Sequence, residues 1–223
     1  LLRHDLGARH RLSLGLDGRL DRHVITDERA ADSAGPRGIR VSTGASLGDD
    51  IAVTERVRLV PALRVDYQRT EPGSGWDPII AGPNPPRAYS DWYASPRMSG
   101  RVLVGELVLK SSIGRYFRAP TLTELYGDRG YLVGNPSLRP ETGMNADIGL
   151  VLSPQTHDGL VDHLFLQVAA FVARPRSAIV LLQSVGRAAQ AENLGDATIY
   201  GLEAAFAFRV WRTLTLTANY TYI

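Results

Sequence analysis

The strongest constraint on the fold is an alternation of apolar and polar residues that recurs along nearly the whole chain. Over residues 11–20, Leu12, Leu14, Leu16 and Leu20 fall on one side, and Arg11, Ser13, Gly15, Asp17 and Arg19 on the other. Over 56–68, Val57, Leu59, Leu63, Val65 and Tyr67 oppose Arg56, Arg58, Arg64, Asp66 and Gln68. Residues 199–210 set Tyr200, Leu202, Ala204, Phe206, Phe208 and Val210 against Gly201, Glu203 and Arg209. The last segment sets Leu214, Leu216, Ala218, Tyr220 and Tyr222 against Thr213, Thr215, Thr217, Asn219 and Thr221. A period of two marks strands whose faces meet different surroundings, because successive side chains point to opposite sides. Less regular segments near 39–48, 92–104, 106–117, 142–152 and 161–174 bring the expected total to nine strands.

The connections alternate in length. Short links are expected near 49–55, 103–106, 153–160 and 210–212, and long Gly/Pro/Asp-rich links near 24–38, 70–91, 118–140 and 175–197. A meander with tight turns at one rim and long loops at the other is the layout of an outer-membrane barrel. Long structureless loops count against a compact soluble sandwich. Aromatics sharpen this: Tyr67, Trp92, Tyr93, Tyr116, Phe117, Tyr200, Tyr220 and Tyr222 fall towards the long loops, and Trp211 falls in a short turn. Rings at two levels suit the two membrane interfaces, where an apolar body and a wet polar tip are both satisfied. Pro61 breaks an otherwise regular strand, which is tolerable at a rim or a bulge.

With 44% hydrophobic residues the composition suits a soluble protein or a barrel equally well. No apolar run approaches the roughly 18 residues of a membrane helix. The chain has no cysteine, so disulfides, thiolate metal sites and thiol catalysis drop out. Its basic residues are nearly all arginine, Lys110 being the one lysine, and they are dispersed, so no nucleic-acid surface is expected. His4, His10, His23, His157 and His163 lack metal-ligand spacing, and no metal or cofactor is expected. Gly127-Asp128-Arg129-Gly130 lacks the Lys-Ser/Thr of a phosphate cradle, and no serine sits in a Gly-x-Ser-x-Gly elbow. Nothing nominates a pair of catalytic carboxylates, so no enzyme is expected. Both ends of the 223-residue chain read as cuts, and a fragment is expected.

Two blocks carry a family resemblance. Gly114-Arg115-Tyr116-Phe117-Arg118-Ala119-Pro120-Thr121-Leu122-Thr123-Glu124-Leu125-Tyr126-Gly127 is followed by Gly134-Asn135-Pro136-Ser137-Leu138-Arg139-Pro140-Glu141. In that order they resemble a signature of TonB-dependent outer-membrane receptors. Asn193 to Glu203 resembles a third family segment, and Leu59-Val60-Pro61-Ala62-Leu63-Arg64-Val65-Asp66 a fourth, with Ala62 in place of the usual Gly. The resemblance implies an all-β antiparallel up-and-down meander: residues 1–223 would be part of a transmembrane barrel of about 22 strands, from the middle to later part of the receptor and without its plug. It implies a home in the outer membrane of a Gram-negative bacterium and contact with outer-membrane lipid. It further implies import of a scarce nutrient chelate such as a ferric siderophore or cobalamin. The implied partners are the missing N-terminal plug domain and, through it, TonB.

On this reading Arg56, Arg58, Arg64, Asp66, Lys110, Asp147, Glu203 and Arg209 line the lumen and face the plug or water. The signature blocks have two readings. As structure, Pro120, Pro136 and Pro140 fix the backbone and Gly127, Gly130 and Gly134 allow tight reversals, folding an extracellular loop over the mouth. As recognition, Arg115, Arg118, Arg129, Tyr131 and Asn135, with Trp76 of the 70–91 loop, are the candidates for ligand contact. Two rivals remain. A passive porin or another barrel shares the alternation but would not be expected to carry the signature blocks, and a soluble carbohydrate-binding β-sandwich would need no detergent.

Overall fold

The computed structural model describes residues 1–26, 34–73, 87–128, 131–154, 161–183, 189–211 and 213–223. The large sheet has ten strands: β1 (Leu2–Leu6), β2 (His10–Thr26), β3 (Ala34–Ala52), β4 (Val57–Pro72), β5 (Tyr89–Val104), β6 (Leu107–Arg118), β8 (Glu141–Leu152), β9 (Val161–Arg176), β12 (Ile199–Val210) and β13 (Leu214–Tyr222). Each pairs antiparallel with the next one in that order. Nine correspond to the alternating segments, and β1 is an addition. Between them lie a five-residue helix, α1 (Leu122–Tyr126), and three short strands, β7 (Leu132–Val133), β10 (Ile179–Gln183) and β11 (Ala189–Asn193). These short strands make a separate sheet, in which β11 pairs antiparallel with β10 and parallel with β7.

Strands β2 to β5 contain 17, 19, 16 and 16 residues. Strands of ordinary globular domains have about 5–6, whereas a tilted strand crosses a bilayer in about 9–11. The register sorts the faces of the sheet. Directly paired residues run Val57, Val102, Leu109, Leu150, Val168, Ala204, Tyr220 along one row. The next row, on the opposite face, runs Arg58, Arg101, Lys110, Gly149, Ala169, Glu203, Thr221. Alternation within strands therefore becomes an apolar face and a polar face across the sheet.

Among the described residues nothing covers the apolar face. Leu16 is 73% exposed, Ile148 65% and Leu202 50%. Leu12, Leu14 and Leu16 share a side of β2, and Leu202 and Phe206 share one of β12 with their partners on β13, as expected. A soluble sandwich would bury such a face against a second sheet, and an uncovered surface of this size needs an apolar solvent. Rings edge it at both ends. Tyr67 and Trp92 pair across β4 and β5 with centroids 4.9 Å apart, Tyr200, Tyr220 and Tyr222 mark β12 and β13 towards the long connections, and Trp211 occupies the opposite turn. The ten steps from Tyr200 to Val210 rise about 34 Å along the strand, or about 25 Å along the membrane normal once tilted, the height of a barrel's apolar band.

Local departures have local causes. The turn between β5 and β6 is two residues, Gly105-Glu106, and Gly105 has the positive φ (60°) that such hairpins require. The β3–β4 ladder skips Asp49 and Asp50 opposite Val60 and Pro61, where proline has no N–H to give. The β5–β6 ladder ends at Arg97–Gly114, next to Pro96, and beyond it Phe117 stacks on Tyr93 at 4.2 Å.

Candidate functional site: the polar face and its mouth

The polar face gathers most of the residues expected to line the lumen. Arg58, Arg101 and Lys110 stand directly opposite one another on three neighbouring strands. Adjacent like charges repel, and carboxylates temper them. Arg58 is 3.1 Å from Asp50, while Ser112 accepts from Arg97 at 3.2 Å and donates to Asp147. A cavity of about 370 Å³ lies among Asp50, Arg58, Arg97, Arg101, Lys110 and Asp147. Glu203 ends the same row with a carboxylate three strands on from Lys110, and Arg209 pairs in register with His163 and Thr215 on the same face. Arg56 differs from expectation. It lies in the exposed turn before β4, where its carbonyl accepts from Leu103 N–H at 2.8 Å, so it belongs to the rim and not to the wall.

The densest charge network centres on Arg64. Its guanidinium binds Asp66 on the same strand (Nη2 to Oδ1, 2.6 Å) and Asp17 two strands away (Nη1 to Oδ1, 2.8 Å). Between them, on β3, stands Gly44, in register with both carboxylates. A Cβ there would fall 2.2 Å from Arg64 Nη2, so the absence of a side chain is what lets the arginine lie across the strand. Asp66 is nearly buried, at 7% exposure, and an arginine fork suits two carboxylates at once. Alternation put Asp17 and Arg64 on one face, but nothing in one dimension says that residues 47 apart meet.

Above this network the signature segment closes over the polar face. Thr121 caps α1 by accepting from Glu124 N–H (3.1 Å), and Glu124 accepts in return from Thr121 N–H (2.7 Å), a reciprocal capping box. The helix turns Leu122, Leu125 and Tyr126 inward, and with Leu138 and Ala191 they form the buried apolar cluster, flanked by Tyr89 and Ile179. The Tyr126 ring sits over Gly38 of β3 and stacks on His23, whose Nε2 is 3.2 Å from the Gly127 carbonyl. Burial first, then the neighbouring Tyr89, pushes the Tyr126 phenol up to about 12 against the opposing pull of Arg40, so it stays neutral in any ordinary medium. Below the helix a cavity of about 540 Å³ opens between Arg40, Arg64, Asp66, Gln68, Phe117 and Thr121.

Several expected ligand contacts are engaged in holding this loop. Arg118 donates to Glu124 (3.2 Å) and to the Ile179 carbonyl (3.2 Å), and its Nε is 3.6 Å from Glu141. Asn135 donates to the Ala191 carbonyl (2.9 Å) while its Oδ1 accepts from Ser137 N–H (3.1 Å). Gly134 beside it admits no side chain, because a Cβ would meet the Leu125 and Tyr126 backbone at 2.6 Å. Asn193, which opens the third family segment, clamps two segments by donating to the Arg139 and Ser177 carbonyls and accepting from Arg139 N–H. Tyr131 remains 55% exposed. Arg115 pairs in register with Met144 on the apolar face, away from the mouth. Trp76 and Arg129 lie outside the described residues. Among the described residues no three His, Asp or Glu side chains gather as a metal site.

Comparison with known proteins places these features. The family model described as TonB dependent receptor-like, beta-barrel matches residues 1–223. The chain is 27% identical over 229 aligned residues to the iron-regulated outer membrane virulence protein of Vibrio cholerae serotype O1, covering 96% of this chain and 32% of the relative. It thus spans about a third of that relative's length. Among solved structures it is similar to the copper transporter OprC (TM-score 0.71, 20% identity, 96% of this chain and 34% of that one). It is also similar to the siderophore receptor PirA of Pseudomonas aeruginosa (TM-score 0.67, 21% identity, 99% and 40%). The uncovered apolar face, the charged opposite face and the whole-length match agree: the chain belongs to the TonB-dependent receptor β-barrel family of the Gram-negative outer membrane.

Proposed function

We propose that residues 1–223 form one piece of the barrel domain of an active importer that takes up a scarce nutrient chelate with energy delivered through TonB. A signature loop folded over a charged cavity at the mouth of the polar face supports this reading most directly. Ferric siderophores are the leading substrate class, with cobalamin and similar chelates as alternatives, since the V. cholerae relative is named for iron regulation and PirA is a siderophore receptor.

In this scheme Arg58, Arg64, Asp66, Lys110, Asp147, Glu203 and Arg209 face a plug domain or lumen water, and Arg56 faces the rim. Such charges are tolerable where they are paired or wet. Arg118 and Asn135 act through the shape of the loop. Tyr131, Arg129 and Trp76 are the contacts proposed for the ligand. The test is uptake of labelled ferric chelates and of cobalamin by cells carrying the full-length receptor, with and without TonB. Uptake of one of them that stops when TonB is removed is the expected result. Uptake that continues without TonB would make the protein a passive channel and overturn the proposal.

A further inference from the structure

Two cavities open on the polar face, and they stand at different heights. The one beneath the signature helix reaches Gln68, eleven residues along β4 from Val57, or about 28 Å above the short-turn rim at a barrel-like tilt. The other holds Arg58, Arg97, Arg101 and Lys110, and Lys110 is three residues along β6 from Leu107, or about 8 Å up. Their charge differs as well. In the upper cavity Asp17, Asp21 and Asp66 each accept a hydrogen bond from an arginine. The lower one sets four cations against two carboxylates, Asp50 and Asp147.

Those two carboxylates are already engaged. Asp50 holds Arg58 at 3.1 Å, and Asp147 accepts from the Ser112 hydroxyl, which itself accepts from Arg97 at 3.2 Å. Arg101 and Lys110 are exposed, and neither makes a hydrogen bond or ion pair with a described residue. They are paired directly across β5 and β6, with Arg58 opposite Arg101 on β4. Neighbouring strands are about 4.8 Å apart, so the row of cations spans about 10 Å and its members repel one another. Beyond Lys110 the row runs on through Gly149 and Ala169. A Cβ at Gly149 would come 2.8 Å from the Val168 carbonyl oxygen, so that position stays flat and leaves open floor beside the ammonium.

We propose that Arg101 and Lys110, flanked by Arg58 and Arg97, form an inner anion site about 20 Å below the mouth cavity, which takes the oxyanion groups of an anionic ferric chelate as it passes the wall. The site presupposes the importer function. A ferric tris-catecholate is a polyanion, and laid along the row it relieves the repulsion there. The mixed field suits passage, since a solute in transit must be held firmly enough to enter and loosely enough to leave. Asp50 and Asp147 moderate the attraction. Lys110, the one lysine of the chain, offers a hydrated point charge in place of a bidentate arginine fork, and so releases an oxyanion more readily.

The test uses the full-length receptor and two probes. Tungstate, an oxyanion located by its anomalous scattering, should occupy the Arg101–Lys110 row in crystals of the native receptor and be lost from the Arg101→Gln/Lys110→Gln variant. In cells lacking TonB, a labelled ferric tris-catecholate should bind the variant as tightly as the native receptor, whereas its TonB-dependent uptake should fall about tenfold. Arg101→Lys should keep most of the uptake. Assembly is checked by heat-modifiable migration, and Lys110→Gln alone, with an expected loss of about threefold, carries the test if the double variant fails to assemble. Native-like uptake by an assembled glutamine variant would overturn the proposal, as would an equal loss of surface binding, which would make the row part of the mouth. A plug that becomes protease-accessible in the variant would also overturn it, by making the row a docking surface for plug carboxylates. Absence of uptake by the native receptor would strike the importer reading and the transit role together, whereas a row without tungstate strikes the site itself.

Discussion

The two apolar regions of this molecule obey opposite rules. The large sheet turns leucines, isoleucines and aromatics outward and buries almost none of them within the chain. The loop cluster at the mouth does what a soluble domain does, excluding Leu122, Leu125, Tyr126, Leu138 and Ala191 from solvent. The sheet is held by its backbone ladder and needs lipid to satisfy its outer face, because no water is there to hydrogen-bond an open edge or loop. The cluster is held by side-chain burial in water and by a capped helix. The same residue type is thus a solvation label in one region and a core residue in the other.

Three substitutions separate these rules. The largest effect is expected from Leu125→Ala, which removes a residue only 1% exposed from a core of five. A loss of about 2–5 kcal/mol should open the cluster. In whole cells the loop should become protease-sensitive while the barrel still migrates as a folded, heat-modifiable species; loss of the barrel as well would show that the two regions are one cooperative unit. Next comes Ile148→Arg, on the apolar face at mid-strand. It should cost about 2–4 kcal/mol of barrel stability in lipid, read from unfolding in bilayers, and leave loop protease resistance unchanged in the assembled fraction. A neutral outcome would mean that this face does not meet hydrocarbon. Smallest is Arg64→Met, which strands Asp66 without its partner. Losing those charge-assisted bonds should cost about 1–3 kcal/mol, and the loss should shrink in an Asp17→Asn/Asp66→Asn background, as a thermodynamic cycle would measure.

The two regions were also unequally legible in the sequence. Nine strands could be read because a period of two survives wherever one face meets lipid and the other water. β1 escaped because Leu2-Arg3-His4-Asp5-Leu6 places His4 on the face where its neighbours carry leucine. Arg56 followed the alternation yet sits in a turn, since periodicity does not mark where a strand ends. The mouth was legible only as motif. The parallel pairing of Ala189 with Leu132 joins short, mixed segments far apart in the chain, and no local pattern announces it. Asn135 and Arg118 looked like ligand groups because polar residues in loops often are. Their partners, the Ala191 and Ile179 carbonyls, are backbone atoms with no sequence signature.

The small sheet has a bearing on how the molecule is put together. β7 comes from the connection between β6 and β8, while β10 and β11 come from the connection between β9 and β12. They can meet only after those four strands lie side by side in the right sequence, so the cluster is a late, long-range contact and forms slowly. Burial of Leu125 is therefore a receipt for completed assembly: a barrel segment with one hairpin missing or slipped would leave the mouth unpacked and open to proteases, whereas a correctly ordered one seals it.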